Sequence, residues 1–236
     1  MELSELWAKT EPFQSVLTHG TATGIIAQVV FRNVLASGNR KLLEEMVGMS
    51  RDLLEQFVGY WASLHDIGKI TSAFQGKDPA MADRLRQEGL YDNGFDAKTV
   101  RHEKDSIKIL SRIWTTQKTK RGAIRFFASL IGAHHQGKPY ISSKIGTKWE
   151  PLQDEFEASM RQKFMDGDVK IPVVAEEKKG TVAALLLGIL ILADWIASGE
   201  AFEDVERVLA EESGENQIQL RAERFFLQRG WGNAGA

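Results

Sequence analysis

Cysteine is absent from all 236 residues, which excludes a disulfide scaffold and every thiolate metal site. Any metal must then be held by imidazole and carboxylate, and only five histidines are available to hold it. A cysteine-free chain also fits a reducing, cytoplasmic setting. Long apolar runs are scarce: the longest, Val182 to Ala193, reaches 12 residues before it meets Asp194. A bilayer span needs about 20 apolar residues, so this run predicts a buried helix and no membrane partner. The opening MELSELWAKTEPF has neither the basic start nor the apolar core of a signal peptide. Internal repeats and low-complexity linkers are missing too. With 43% hydrophobic and 26% charged residues, the composition excludes intrinsic disorder and fibrous repeats.

One absence is local. From Ser106 to Trp149 there is no Asp or Glu, while nine Lys and Arg fall in the same stretch. The net charge of −2 therefore conceals a segment of +9 within a remainder of −11. A long acid-free basic segment suggests a surface for a polyanion; the plain alternative is a solvated basic face.

What is present reads as nearly all helix. Apolar residues recur at helical spacing at Leu53, Leu54, Phe57, Val58 and Trp61, then at Ile107, Leu110 and Trp114. The same spacing returns at Ile124, Phe127, Ala128 and Ile131, and again through Val182 to Ile196. Further helices are expected over 21–36, 80–88, 150–165, 201–211 and 217–229, and no stretch alternates as a strand would. Turns are expected at Asp92-Asn93-Gly94 and Asp166-Gly167-Asp168, with a long basic loop from Gln136 to Thr147. A single all-α domain over 1–236 is expected, with 230–236 as a frayed tail.

The histidines are His19, His65, His102, His134 and His135. His65 lies four residues beyond Trp61, on the stripe expected to be buried, and is followed at once by Asp66. Gly68 is expected to end that helix in the left-handed conformation. His134 and His135 follow Ile131 by three and four residues, so they too end a helix whose inner face leads to them. Asp194 is the only charged residue between Lys179 and Glu200, and a carboxylate there is costly unless paired or metal-bound. Taken singly, His19 and His102 read as ordinary buried imidazoles. Taken together, imidazoles and carboxylates at several helix ends need a common partner, and a divalent transition metal supplies it.

The ordered series His19, His65-Asp66, His102, His134-His135, Asp194 resembles the signature of the HD superfamily of metal-dependent phosphohydrolases. The wording narrows the match. LHDIGKITSAFQ (Leu64 to Gln75) resembles the HD-x-G-K-x4-F-Q motif of the HD nuclease domain in the CRISPR type I effector nuclease-helicase. IGAHHQGKP (Ile131 to Pro139) and LADWIASGE (Leu192 to Glu200) resemble its His-His and Asp-Trp motifs. Together the likeness spans roughly residues 10–200.

The resemblance implies an HD-domain helical bundle with its metal site at helix ends. It also implies two divalent ions about 3.5–4 Å apart: His19, His65, Asp66 and Asp194 on the first, His102, His134 and His135 on the second, and Asp66 bridging. Imidazole-rich coordination favours Mn, Fe, Co or Ni over Mg. The implied activity is hydrolysis of single-stranded DNA by metal-activated water in CRISPR type I interference, with Asp66 and Lys69 catalytic. Lys69, one turn beyond Asp66, would bind the scissile phosphate; its plain alternative is a lysine favoured by a helix C-terminus. The implied partners are a helicase in cis or trans and an RNA-guided surveillance complex. Lys138, Lys144 and Lys148, with Tyr140 and Trp149 beside them, are candidates to track the strand by phosphate contact and base stacking.

Gly132 to Lys138 fits G-x4-G-K, but Pro139 stands where a phosphate-binding loop needs Ser or Thr, and a helix precedes it instead of a strand. The helicase motor is accordingly expected to lie outside this chain. Two other readings stay open at this point. One is an HD phosphohydrolase acting on nucleotides or cyclic dinucleotides, which has no need of the +9 segment. The other is a catalytically silent docking module.

Overall fold

In a computed structural model, residues 1–92, 101–117, 119–135, 145–167 and 170–231 are described. The chain opens with a short antiparallel hairpin, β1 (Trp7–Lys9) and β2 (Gln14–Ser15). Helices follow: α1 (Val16–Val29), α2 (Ser37–Val47), α3 (Arg51–Ser63), α4 (Ser72–Gln75), α5 (Pro79–Gln87) and α6 (His102–Thr116). Then come α7 (Arg121–Ile131), α8 (Glu150–Phe164), α9 (Lys179–Ala197), α10 (Val205–Leu209) and α11 (Gly214–Gln228). The expected all-α architecture holds, with the hairpin as its exception; too few residues pair there for alternation to show.

The chain forms two compact units, each made of two separated segments. Met1–Leu17 and Leu64–Ser159 make the first; Thr18–Ser63 and Met160–Ala236 make the second.

In the first unit α6 and α7 pack on each other through one apolar face apiece. Ile109, Leu110, Ile113 and Trp114 are buried on α6, and Ile124, Phe127, Ala128 and Ile131 on α7. Local signals set the shorter elements. Thr71 caps α4 by accepting from Phe74 N at 3.3 Å, and Asp78 caps α5 by accepting from Met81 N at 2.8 Å, with Pro79 at the first helical position. Gln153 of α8 donates to Ile70 O at 2.9 Å, tying that helix to the segment after Asp66.

In the second unit α9 packs against α2 and α3. By length and composition, Glu176–Ala197 is apolar enough to cross a membrane, and 44% of that window is buried. The expectation of a buried helix therefore holds for one side only: Val182, Leu186, Ile189, Leu190 and Ala193 face inward, while Trp195 is 70% exposed. On α3 the stripe is Leu54, Phe57, Val58 and Trp61, all fully buried, whereas Leu53 is 40% exposed. One residue is about 100° of helical turn, which carries Leu53 off the stripe.

Boundaries moved in further places, α11 among them, which starts at Gly214 where 217 was expected. The expected helix 21–36 starts earlier, at Val16, and passes into a π-helical turn over Val30–Val34. The expected 201–211 helix is a 3-10 turn, Glu200–Phe202, followed by α10. α2 has no counterpart among the expected helices, since it buries only Leu43 and Val47 and its GNRKLLEE stretch is largely polar. Most of the basic loop 136–147, Asn93-Gly94 of the first turn and Asp168 of the second lie outside the described residues.

Candidate metal centre

The first unit builds its site around one turn. α3 stops at Ser63, so His65 and Asp66 sit in the turn that follows, ahead of a 3-10 turn at Ile67–Lys69. Gly68 is not in the left-handed conformation expected of a helix stop; it serves a close approach. A Cβ built on it would lie 1.9 Å from His102 O and 2.6 Å from Ser106 N, so only glycine lets α6 press against this turn. Ser106 then fastens the contact. Its hydroxyl accepts from Gly68 N and donates to His65 O, each at 2.9 Å.

This docking brings His102, the first residue of α6, onto Asp66: His102 Nε2 lies 3.0 Å from Asp66 Oδ1. His134 Nε2 is 3.9 Å from the same oxygen, and His65 Nε2 is 3.4 Å from Asp66 Oδ2. His135 lies beside them, its ring tilted 4.1 Å from that of His134 and edge-on 5.2 Å from that of His102. One ligand atom each from Asp66, His102, His134 and His135 fall within 4.8 Å of one another. His65, Asp66 and His134 are buried, and His135 is exposed.

Lys69 Nζ is 2.6 Å from Asp66 Oδ2 and donates to Ala8 O at 3.0 Å. Its ammonium is thus engaged with the carboxylate and the hairpin. The remaining motif residues also acquire tasks. Phe74 packs edge-on to His102 at 5.3 Å and against Trp7 at 4.4 Å. Gln75 works as a surrogate strand, accepting from Trp7 N at 3.1 Å and donating to Trp7 O at 2.9 Å.

Electrostatics suit cation binding. Burial opposes the charge on Asp66, but His65, Lys69 and His102 around it hold its carboxyl well below the usual range. Burial pushes the His102 imidazole down, and that of His134, helped by His65, down to about 3. Both rings are therefore neutral at pH 7, the form that ligates metals. His134 Nδ1 is 2.5 Å from Ile131 O, which sets Nδ1 as the protonated nitrogen and turns the Nε2 lone pair toward Asp66. That Nε2 is buried and has no hydrogen-bond partner among the described residues. A buried acceptor without a donor costs about 1–3 kcal/mol, and a divalent cation at this point would satisfy it. The donor set fits an imidazole-preferring metal.

The second unit carries the other two expected ligands as a pair. Asp194 Oδ1 of α9 lies 3.3 Å from His19 Nε2 of α1, and Ser198 Oγ donates to it at 3.4 Å. The expectation that so apolar a helix must pair its carboxylate is met there by an imidazole.

The strand-binding candidates fare differently. Lys138, Lys144 and Tyr140 lie outside the described residues. Lys148 Nζ donates to Gly89 O at 2.8 Å, and Trp149 is fully buried with Nε1 donating to Leu90 O at 3.1 Å. Trp149 is a core residue and has no ring face to offer a base. Sequence reasoning passed over Ser106 and Glu103, although Ser106 sits four residues after His102, on the same helical face.

An HD turn closed by a helix, with imidazoles from two helix ends gathered on its aspartate, defines an HD-type metal-binding helical domain. A family model for "Cas3, HD domain" matches residues 7–203, and the chain belongs to that family. It is similar to the CRISPR-associated nuclease/helicase Cas3 of Streptococcus thermophilus, 25% identical over 239 residues, covering 83% of this chain and 24% of that one. The chain thus spans about a quarter of that relative. Among solved structures, the Thermus thermophilus Cas3 HD domain in the presence of Ni2+ matches with a TM-score of 0.71 at 20% identity, over 96% of this chain and 90% of the other. A chain in a CRISPR RNA-guided surveillance complex, pre-nicking, matches with a TM-score of 0.72 at 20% identity, over 95% and 28% respectively.

Proposed function

We propose that this chain is a metal-dependent nuclease domain that hydrolyses phosphodiester bonds of single-stranded DNA in CRISPR type I interference. The observation that carries the reading is the gathering of Asp66, His102, His134 and His135 ligand atoms within 4.8 Å, three imidazoles on one carboxylate. His65 beside Asp66, and the His19–Asp194 pair of the second unit, are the remaining ligands that the family resemblance implies. Bound divalent ions would supply Lewis acidity, lowering the pKa of water and neutralising charge on the phosphoryl oxygens. The chain's own residues do the positioning. His134 presents a fixed lone pair, Asp66 offers two oxygens, and Lys69 keeps that carboxylate ionised and oriented. Lys69 then acts through Asp66 as much as on the substrate.

The substrate reading leans on the basic segment. Lys120, Arg121 and Arg125 are exposed on or beside α7, the helix that ends three residues before His134. A cationic helix leading to a metal centre suits a single strand held by its phosphates. Relatives of this family include a nuclease/helicase and a chain of an RNA-guided surveillance complex. We take a helicase, in cis or in trans, and such a complex as the partners, and the cytoplasm as the setting.

The test is cleavage of a circular single-stranded DNA in Mn2+, beside a mononucleotide and a cyclic dinucleotide. Cutting of the circle is expected, and Asp66→Ala should reduce it at least about a hundredfold. Hydrolysis of the small molecules alone would refute the DNA reading. Mn2+, Co2+ or Ni2+ should support activity better than Mg2+, and full activity in Mg2+ alone would contradict the imidazole ligand set.

A further inference from the structure

Behind His102 stands a carboxylate that the mechanism above does not use. Glu103, in the first turn of α6, is only 5% exposed, and its Oε2 is buried with no hydrogen-bond partner among the described residues. That oxygen lies 3.4 Å from His102 Nδ1, while the other nitrogen of the same ring, Nε2, lies 3.0 Å from Asp66 Oδ1. One imidazole therefore stands between two carboxylates, the cluster's on one side and Glu103 on the other. Phe74 closes on the ring edge-on at 5.3 Å, so the ring has little freedom to turn away.

A buried carboxylate is costly unless it has work to do. Oε2 and Nδ1 stand within ion-pair distance without the alignment of a hydrogen bond, and a small rotation of the carboxylate would let it receive the Nδ1 proton of His102. With that proton on Nδ1, Nε2 would be left as a lone pair to share a cation with Asp66, 3.0 Å away. His134 obtains the same result from a backbone carbonyl, Ile131 O. The two imidazoles thus have different supports: a neutral carbonyl behind one and an ionisable side chain behind the other.

We infer that Glu103 is a positioning residue of the metal centre, holding His102 in its ligating tautomer and orientation through Nδ1. The inference rests on the metal-centre reading above. Outer carboxylates of this kind typically change metal affinity by about 10–100-fold when removed.

The experiment titrates Co2+ into the full chain, following binding by calorimetry and by the visible cobalt spectrum. The parent is compared with Glu103→Gln, Glu103→Ala and His102→Ala, each checked for helical content and melting temperature. Expected are a loss of roughly tenfold or more in Co2+ affinity for Glu103→Ala, a smaller loss for Glu103→Gln, whose amide oxygen can still accept the proton, and an altered cobalt spectrum in both. Parent-like affinity and spectrum in both Glu103 variants, with His102→Ala impaired, would overturn the inference and leave the metal centre standing. A lowered melting temperature with unchanged affinity and spectrum would reduce Glu103 to a packing role and overturn it equally. No Co2+ binding by the parent would remove the metal-centre reading and this inference with it.

Discussion

At the scale of single residues, the HD turn depends on an atom that is missing and a hydroxyl that is present. Gly68→Ala would place a methyl 1.9 Å from His102 O. Backbone cannot yield that far cheaply, so α6 must retreat, and a loss of about 3 kcal/mol is expected together with impaired metal binding. Chemical denaturation alongside a Co2+ titration checks both. Ser106→Ala removes an acceptor from Gly68 N and a donor to His65 O; about 1–3 kcal/mol should be lost in the same denaturation experiment. His134 adds a pH dependence. Its imidazole titrates near 3 in the folded protein, against an ordinary value of 6.5. Between those values the unfolded chain binds more protons than the folded one, so stability rises with pH across that window. The metal-free protein should lose stability as pH falls below about 6.5. Denaturant midpoints from pH 7 to pH 4 measure it, and His134→Phe should make the profile shallower, His102 supplying the rest.

Elements explain why some motif positions were readable and others were not. The periodicities of α6, α7 and α9 showed in the sequence because each buries one continuous side. α2 buries two residues in eleven and left almost no apolar trace. The hairpin, too short to alternate, was illegible also because β1 takes part of its hydrogen bonding from a side chain 68 residues away, the Gln75 amide on Trp7. The Phe-Gln extension could be recognised as wording, but its purpose needed coordinates. Gln75→Ala should free β1, and hydrogen exchange at the Trp7 amide should rise at least about tenfold while α6 and α7 amides keep their protection. Uniform loss of protection would mean that Gln75 supports the whole unit instead. The candidate ligands were legible because histidines at or near helix ends have few other uses in a cysteine-free chain. Their supports were hidden, since Ser106 and Glu103 are ordinary helical residues until α6 is placed against the turn.

For the whole molecule, charge is the property that composition averages away. A net −2 predicts poor affinity for DNA, whereas the exposed Lys120, Arg121 and Arg125 predict binding that weakens steeply with salt. Each phosphate contact contributes about 0.7 to the slope of log affinity against log salt for a single strand. Arg121→Ala with Arg125→Ala should lower that slope by about 1.4, measured by fluorescence anisotropy on a labelled oligonucleotide in Mn2+-free buffer. An unchanged slope would remove α7 from the DNA path. The division of the chain bears on heredity as well. Each compact unit is assembled from two stretches, with the boundaries at Leu17, Ser63 and Ser159. No single break in the gene can separate the two units cleanly, because every crossover leaves at least one of them incomplete. The two units are therefore expected to be inherited together, as one undivided piece.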